Sequence, residues 1–176
     1  SYWMAFEGCS ALKSIIIPAG VTNIQGAAFA NCAALEKISV DAMNSIYESP
    51  MDCNAIIEKS TNKLFAGCAS TTIPNSVTRI GDSSFWGRWG MTKMDIPESV
   101  KIIEGYAFCF SDMSEFTMPS KVEIIGFGAF WCTSLKRVTL PATLTAIGDQ
   151  AFNECNDLVE VKAENPTPVA ITADVF

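Results

Sequence analysis

Cysteines are the residues of this chain most able to do chemistry, because the sequence contains seven of them and no histidine. Without histidine, the commonest general base and the usual nucleophilic triads are missing. Cysteine metal sites usually need Cys-x-x-Cys or Cys/His spacings, and the chain has neither. It also has no glycine-rich phosphate loop. We therefore predict no cofactor, no metal and no catalytic site. An enzyme built on Lys, Ser and Asp is the alternative left open.

Most of the cysteines share one place in a repeating pattern, which favours packing over reactivity. A buried free cysteine behaves as a small hydrophobic residue, so we expect a column of reduced, buried thiols. Cys53 and Cys109 lie outside this place, and sequence alone does not determine whether they pair. The cysteines assigned to the column are Cys9, Cys32, Cys68, Cys132 and Cys155.

The repeat that must position these thiols is marked by phenylalanine, usually preceded by alanine. Successive gaps between the marker residues are 23, 56, 23, 22 and 22 residues. A period in this range is typical of a solenoid of stacked units, a fold that mostly presents surfaces rather than catalytic pockets. The marker residues are Phe6, Phe29, Phe85, Phe108, Phe130 and Phe152.

Each unit reads approximately A-F-x-x-C-x-x-L-x-x-I-x-I-P-x-x-V-x-x-I-G. The segment L-x-x-I-x-I ends in the alternation of a half-buried strand, with Leu12, Ile15 and Ile17 inward. Pro18 has no N–H and should stop the strand. The stretch from glycine to Ala-Phe favours a turn that leads into a short helical piece. We expect Val21 and its equivalents to cover the middle of each coil.

The 56-residue gap contains one elaborated unit, which we assign to residues 41–84. The segments on either side of 60–62 predict a β-hairpin. Leu64 and Phe65 are expected to take over the core place of the missing Ala-Phe pair. An insertion is the favoured interpretation of this stretch, and a binding loop at 47–54 is the alternative.

Length and composition predict a single domain over residues 1–176, with about seven units. The net charge of −7 and the lack of a basic cluster argue against nucleic acid. The chain has no run of about 20 apolar residues, the length needed to span a membrane. Because the chain begins in mid-unit, we expect it to be a fragment of a longer protein.

Three stretches carry a family resemblance: Ala28-Phe29-x-x-Cys32-x-x-Leu35, Ile73-Pro74-x-Ser76-Val77-Thr78-x-Ile80-Gly81, and the segment from Leu140 to Phe152. They resemble the BspA-like leucine-rich repeats. The resemblance implies a curved leucine-rich-repeat solenoid with a parallel β-sheet on its concave side, and turns and short helical or extended pieces on the other. It also implies surface or secreted proteins, with adhesion and matrix-protein binding among their roles. Arg88 departs from the pattern because it occupies the cysteine place, where it cannot be buried unpaired.

The strand register predicts two outward rows on the sheet face, both polar and mixed in charge. A solvated sheet surface and a flat protein-binding face are the two interpretations. One row is Ile16, Ser39, Thr72, Asp95, Thr117, Thr139 and Lys162. The other is Ser14, Lys37, Ser70, Lys93, Glu115, Arg137 and Glu160.

A second candidate surface is aromatic, because Trp86, Trp89 and Trp131 follow core phenylalanines. Tryptophan and arginine are favoured at interface hot spots. Since Arg88 holds the cysteine place, one tryptophan could instead fold inward to fill it.

These observations predict a non-catalytic, protein-binding adhesion module of a cell-surface or secreted protein, with an unidentified host or matrix protein as partner. The alternative function is a structural spacer or stalk that presents another domain. The candidate partner-binding residues are Thr72, Lys93, Asp95, Glu115, Thr117, Arg137, Thr139, Trp86, Trp89 and Trp131.

Overall fold

The computed structural model describes residues 5–166, 170, 172 and 174–176. The chain forms a parallel-strand β-solenoid of about seven turns. In the described residues, the one helix is a 3₁₀ turn at Pro50–Asp52. The strands are β1 Ser14–Ile17, β2 Lys37–Val40, β3 Tyr47–Glu48, β4 Ala55–Glu58, β5 Lys63–Gly67, β6 Arg79–Ile80, β7 Ile102–Ile103, β8 Ile124–Ile125, β9 Arg137–Leu140, β10 Ala146–Ile147 and β11 Glu160–Ala163.

Two separate two-stranded sheets form at the L-x-x-I-x-I place, where the alternation predicts strands, and we call them together the first sheet. β1 pairs with β2 and β9 pairs with β11, both parallel and in the predicted register. Between these pairs, the middle coils contribute an isolated bridge from Lys93 to Glu115. β1 ends directly before Pro18 and β9 ends before Pro141, where the missing N–H would interrupt the ladder.

A second sheet of seven strands forms at the V-x-x-I-G place, where we expected only buried side chains. Its strand order is β10-β8-β7-β6-β5-β4-β3. The repeat strands β6, β7, β8 and β10 are two residues each, with one side chain outward and one inward. Ile80, Ile103 and Ile125 point inward and are at most 1% exposed. Each coil therefore lies between the strand pairs at the L-x-x-I-x-I place and this second sheet, which is parallel except where β3, β4 and β5 pair antiparallel.

The marker phenylalanines stack face to face along the core and hold successive turns in register. Phe130 lies 5.3 Å from Phe108 and 5.2 Å from Phe152, measured between ring centroids. The backbone N–H of Phe130 donates to the carbonyl oxygen of Ala151 at 2.8 Å. Small alanines before the rings allow this close approach. The Gly-to-Phe stretches are turns rather than helix.

The hairpin in the elaborated unit forms as predicted, because β4 and β5 pair antiparallel. Through β5 and β6, it continues the second sheet. The buried Asn44 ties the insertion to the first coil, since its Nδ2 donates to the carbonyl oxygens of Pro18 and Val21 at 2.8 and 2.9 Å. Segment 47–54 is thus packed by strand β3 and by buried Cys53, although Met51 is 90% exposed.

The prediction that Leu64 and Phe65 replace the missing Ala-Phe pair is wrong. Leu64 pairs with Ile80 in the second sheet, and the half-buried Phe65 packs its ring edge against Tyr47 at 6.0 Å. Gly67 takes the phenylalanine place instead, because its N–H donates to Ser84 in the register of the phenylalanine column. A Cβ on Gly67 would lie 2.2 Å from the ring of Phe85, so only glycine leaves room for that ring.

Candidate partner-binding surfaces

Alternation in the first sheet turns every candidate side chain of that sheet to solvent. The seven residues predicted there are all exposed, whereas their inward neighbours such as Val138 and Leu140 are 3% exposed. The exposed seven are Thr72, Lys93, Asp95, Glu115, Thr117, Arg137 and Thr139.

Two shallow grooves bring most of these side chains together on the first-sheet face. One groove of about 480 Å³ lies between neighbouring coils and contains Thr72, Lys93 and Asp95 among its walls. Another groove, of about 380 Å³, is lined by Glu115, Thr117 and Arg137 together with three neighbours. Thr139 lies on the same face but lines neither of the two grooves.

Ion pairing between the charged side chains on this face is weak. Arg137 Nε donates to Glu160 at 3.1 Å, with side chains 72% and 60% exposed. An ion pair this exposed contributes about 1 kcal/mol or less. An incoming polar partner could therefore replace it at small cost.

Two of the predicted tryptophans join one aromatic cluster on the turn side of the solenoid. Trp86 stacks on Tyr106 at 5.3 Å, and Tyr106 lies 6.3 Å from Trp131. Both tryptophans are half-buried, and Trp89 is 53% exposed and contributes to none of the ring contacts in the described residues. Tyr106, Phe110 and Phe127 complete the cluster and were not predicted. The available signal was a spacing of 21 residues, about one repeat, from Tyr106 to Phe127 and from Phe110 to Trp131.

Arg88, which we expected not to be buried unpaired, is buried together with hydrogen-bond partners. Arg88 is 1% exposed, and no tryptophan replaces it. Its Nε donates to the carbonyl oxygen of Gly67 at 2.8 Å, and its Nη1 to those of Cys32 and Trp86 at 3.4 Å each. Burial lowers the pKa of its guanidinium. Backbone carbonyls thus pair Nε and Nη1, whereas the buried Nη2 has no hydrogen-bond partner in the described residues.

The thiol column is only partly as predicted. Cys32 and Cys155 are buried, and each donates its S–H at 3.0 Å to a marker carbonyl, of Phe6 and Phe130 respectively. In the Phe130 coil, however, the cysteine place belongs to Thr133, whose hydroxyl donates to Phe130 at 2.9 Å. Cys132 is one residue off and half-buried.

At the end of the column Cys9 is exposed, so this thiol does not share the burial that we predicted for it. Cys53 and Cys109, which lie outside the column, are both buried. All seven cysteines of the chain are free thiols.

Metal binding and thiol chemistry are the two kinds of chemistry that the described cysteines and carboxylates could support. No group of three or more His, Cys, Asp and Glu in that part of the chain could hold a metal ion. The buried thiols are poor nucleophiles, because desolvation raises the pKa of Cys109 to about 12. No helix in the described part of the chain is long and apolar enough to cross a membrane.

Comparison with known proteins identifies the architecture. The family model of the BspA type leucine rich repeat region matches residues 3–63 and 58–176 in 6 copies. This chain belongs to the BspA-type leucine-rich repeat family. Such repeat domains typically bind proteins and are generally non-catalytic. No protein among the curated sequences matches the chain.

Solved structures confirm the fold of this BspA-type repeat domain. A leucine-rich repeat protein from Eubacterium ventriosum is 24% identical, with a TM-score of 0.65, over 85% of this chain and 48% of its own. A leucine rich cell surface protein from Faecalibacterium prausnitzii is 24% identical, with a TM-score of 0.64, over 88% and 48%. The pneumococcal vaccine antigen PcpA is 16% identical, with a TM-score of 0.65, over 94% and 48%. The chain spans about half the length of these three structures.

Proposed function

We propose that this repeat domain is a non-catalytic adhesion module of a secreted or cell-surface protein, and that it binds a host or matrix protein. The observation that carries the proposal is the first-sheet face, where rows of exposed, mixed-charge side chains cross successive coils. Two of the similar solved structures are described as a cell surface protein and a vaccine antigen, which supports the location.

The first-sheet face suits a protein partner better than a small molecule. Its grooves are open and shallow, and they carry side chains of both charge signs beside threonine hydroxyls. Protein interfaces are broad and use complementary charges to select their partner. Small-molecule sites are usually more enclosed and more apolar.

The test is binding to a panel of immobilised extracellular matrix proteins, measured for three folded proteins. The wild type is compared with Lys93→Ala/Glu115→Ala/Arg137→Ala, which empties the centre of the face. The matched control, Glu7→Ala/Lys13→Ala/Lys121→Ala, also removes two cations and one anion at exposed positions. We expect the first variant to lose at least about tenfold in affinity, and the control less than about twofold.

A Trp86→Ala/Trp131→Ala variant separates the aromatic cluster from the sheet face. If that variant alone loses binding, the aromatic cluster is the partner surface and the sheet assignment is wrong. If the wild type binds no protein in the panel, the spacer function is favoured. Turnover of a small molecule by the purified domain would overturn the non-catalytic assignment.

A further inference from the structure

The outer face of the second sheet carries a groove that the proposed function does not use. It measures about 310 Å³ and crosses strands β5, β6 and β7. We call it the basic groove, because three of its six lining residues are cationic. The lining residues are Thr61, Lys63, Thr78, Arg79, Lys101 and Ile102.

The lining of the basic groove is cationic, whereas the chain as a whole is acidic, and the carboxylates of Glu58, Glu104 and Glu123 lie at the rim of the groove. The protein has a net charge of −7, with only 12 basic residues against 19 acidic ones. An acidic ligand therefore meets cations where Lys63, Arg79 and Lys101 converge, and it competes there with the rim carboxylates. Such local focusing raises both encounter rate and selectivity.

The acidic neighbours of the groove leave its cations available. Arg79 gives only Nη1 to Glu104, at 2.9 Å, and Lys101 lies 3.1 Å from Glu123. The basic side chains of these pairs are 43% and 56% exposed. The exposed Lys101–Glu123 pair contributes about 1 kcal/mol or less, whereas the Glu104 side chain is only 20% exposed. The ammonium of Lys63 lies 5.6 Å from the ring centroid of Phe65.

Beyond the groove, the same outer row of the sheet becomes apolar. Cross-strand partners run from Lys63 to Arg79, Ile102, Ile124 and Ala146. Ile124 is 37% exposed. At about 4.8 Å per strand, this row spans roughly 19 Å, the length of about six extended residues. A short segment lying along this row would therefore meet cationic side chains at the Lys63 end and apolar side chains at the Ile124 end.

We propose that this row binds an extended segment of a partner protein whose inward side chains are first acidic and then apolar. Carboxylates would lie over Lys63, Arg79 and Lys101, and aliphatic side chains over Ile102 and Ile124. A sulfated polysaccharide would satisfy the cations but would leave the isoleucines uncovered. The row lies on the second sheet, so the proposal stands or fails independently of the first-sheet face.

The experiment is fluorescence anisotropy with a labelled peptide Glu-Ser-Glu-Ser-Leu-Ser-Leu, which puts two acidic and two apolar side chains on one face. We expect Lys63→Gln/Arg79→Gln/Lys101→Gln to weaken binding at least about tenfold at low salt. The control Lys13→Gln/Lys121→Gln/Lys136→Gln removes the same charge at exposed positions elsewhere, and should change affinity less than about twofold.

A second variant, Ile102→Thr, tests the apolar end with a residue that keeps its preference for strands. It should weaken the leucine peptide about fourfold and leave a peptide with serine in place of leucine unchanged. Equal loss in the groove and control variants would overturn the proposal, as would the absence of peptide binding. A sulfated polysaccharide such as heparin that binds in a groove-dependent way while the peptide does not would also overturn it. Thermal unfolding confirms that each variant is folded.

Discussion

Arg88 is the residue at which this chain departs most from its own repeat. In other coils the same place holds a small thiol or hydroxyl that donates to the marker carbonyl, such as Ser111 at 2.7 Å. Arg88 reaches further and bonds carbonyls of three chain segments. The elaborated unit brings no phenylalanine into this part of the column, so a long side chain fills the space.

We predict that Arg88→Ala destabilises the protein by more than about 3 kcal/mol, because it leaves a cavity and unpaired carbonyls. Arg88→Met keeps the volume and removes a desolvated charge, so it should cost about 2 kcal/mol less than the alanine variant. The measurement is the free energy of unfolding in urea. Equal values for the two variants would show that the charge itself is required.

Alkaline pH should weaken the fold through the buried thiol of Cys109. Desolvation raises its pKa from an ordinary 9.0 to about 12 in the native protein. Between these values the unfolded chain has lost the proton and the native state keeps it, so the unfolded state binds fewer protons. Stability from this group is therefore complete below about pH 9 and is lost as pH rises towards 12.

The free energy of unfolding in urea, measured from pH 8 to pH 10, tests this. Its decline should be shallower in Cys109→Ala, by up to about 1.4 kcal/mol for the step from pH 9 to 10. Parallel pH profiles for the two proteins would show that Cys109 ionises as readily in the native state as in the unfolded one.

At the scale of single residues, the sequence predicted the chemical type of a side chain better than its exact position in the repeat. The buried role of Cys32 and Cys155 followed from their spacing after phenylalanine. Cys132 was assigned to the column because cysteine was treated as the marker, whereas Thr133 occupies the place and donates to the Phe130 carbonyl of its own coil. Cys32 and Cys155 donate instead to the marker carbonyl of the preceding coil. The position three residues after the marker phenylalanine requires a side chain that can donate to a marker carbonyl, and both a hydroxyl and a thiol can do so.

Among the structural elements, the phenylalanine column and the first sheet were predictable and the second sheet was not. Four-residue strands such as β9 show an alternation that sequence can reveal. The two-residue strands β6, β7, β8 and β10 are too short to alternate visibly, and their register follows from the stacking of whole coils. The shift of Leu64 into this sheet had no sequence signal for the same reason.

The phenylalanine column should dominate stability over the exposed sheet positions. We predict that Phe130→Ala, which empties a place between two stacked rings, costs about 3–5 kcal/mol. Thr139→Ala, at an exposed position of β9, should cost less than about 0.5 kcal/mol. Chemical denaturation compares the two, and coincident midpoints would mean that the strand faces have been assigned the wrong way round.

The core of the described residues divides into two apolar clusters, and Arg88 donates to the carbonyl oxygen of Cys32 in the smaller one. The smaller cluster surrounds Phe29 and Cys32, and the larger contains the rings from Phe85 to Phe152. Each coil contacts mainly its neighbours, so the exposed rows of the first sheet continue from coil to coil as extended surfaces. This arrangement separates the residues that stabilise the solenoid from those free to contact a partner.

Fold class could be predicted at this scale because a period near 22 residues permits few architectures. The candidate surface could be predicted as rows, since the register follows from the repeat. The partner could not, because an exposed polar row is compatible with both solvent and protein. Arg79 and Lys101 are far apart in sequence and converge only through the second sheet.

The most direct test of the binding-face assignment is protection of a cysteine placed at Thr117 from thiol labelling by a bound partner. The background is Cys9→Ser/Cys132→Ser, which removes the two accessible thiols. Thr145→Cys, also exposed but outside the first-sheet face, is the matched control. We predict that a saturating matrix-protein partner slows labelling at 117 at least about tenfold and leaves 145 unchanged. An unchanged labelling rate at 117 with the partner bound would contradict the account.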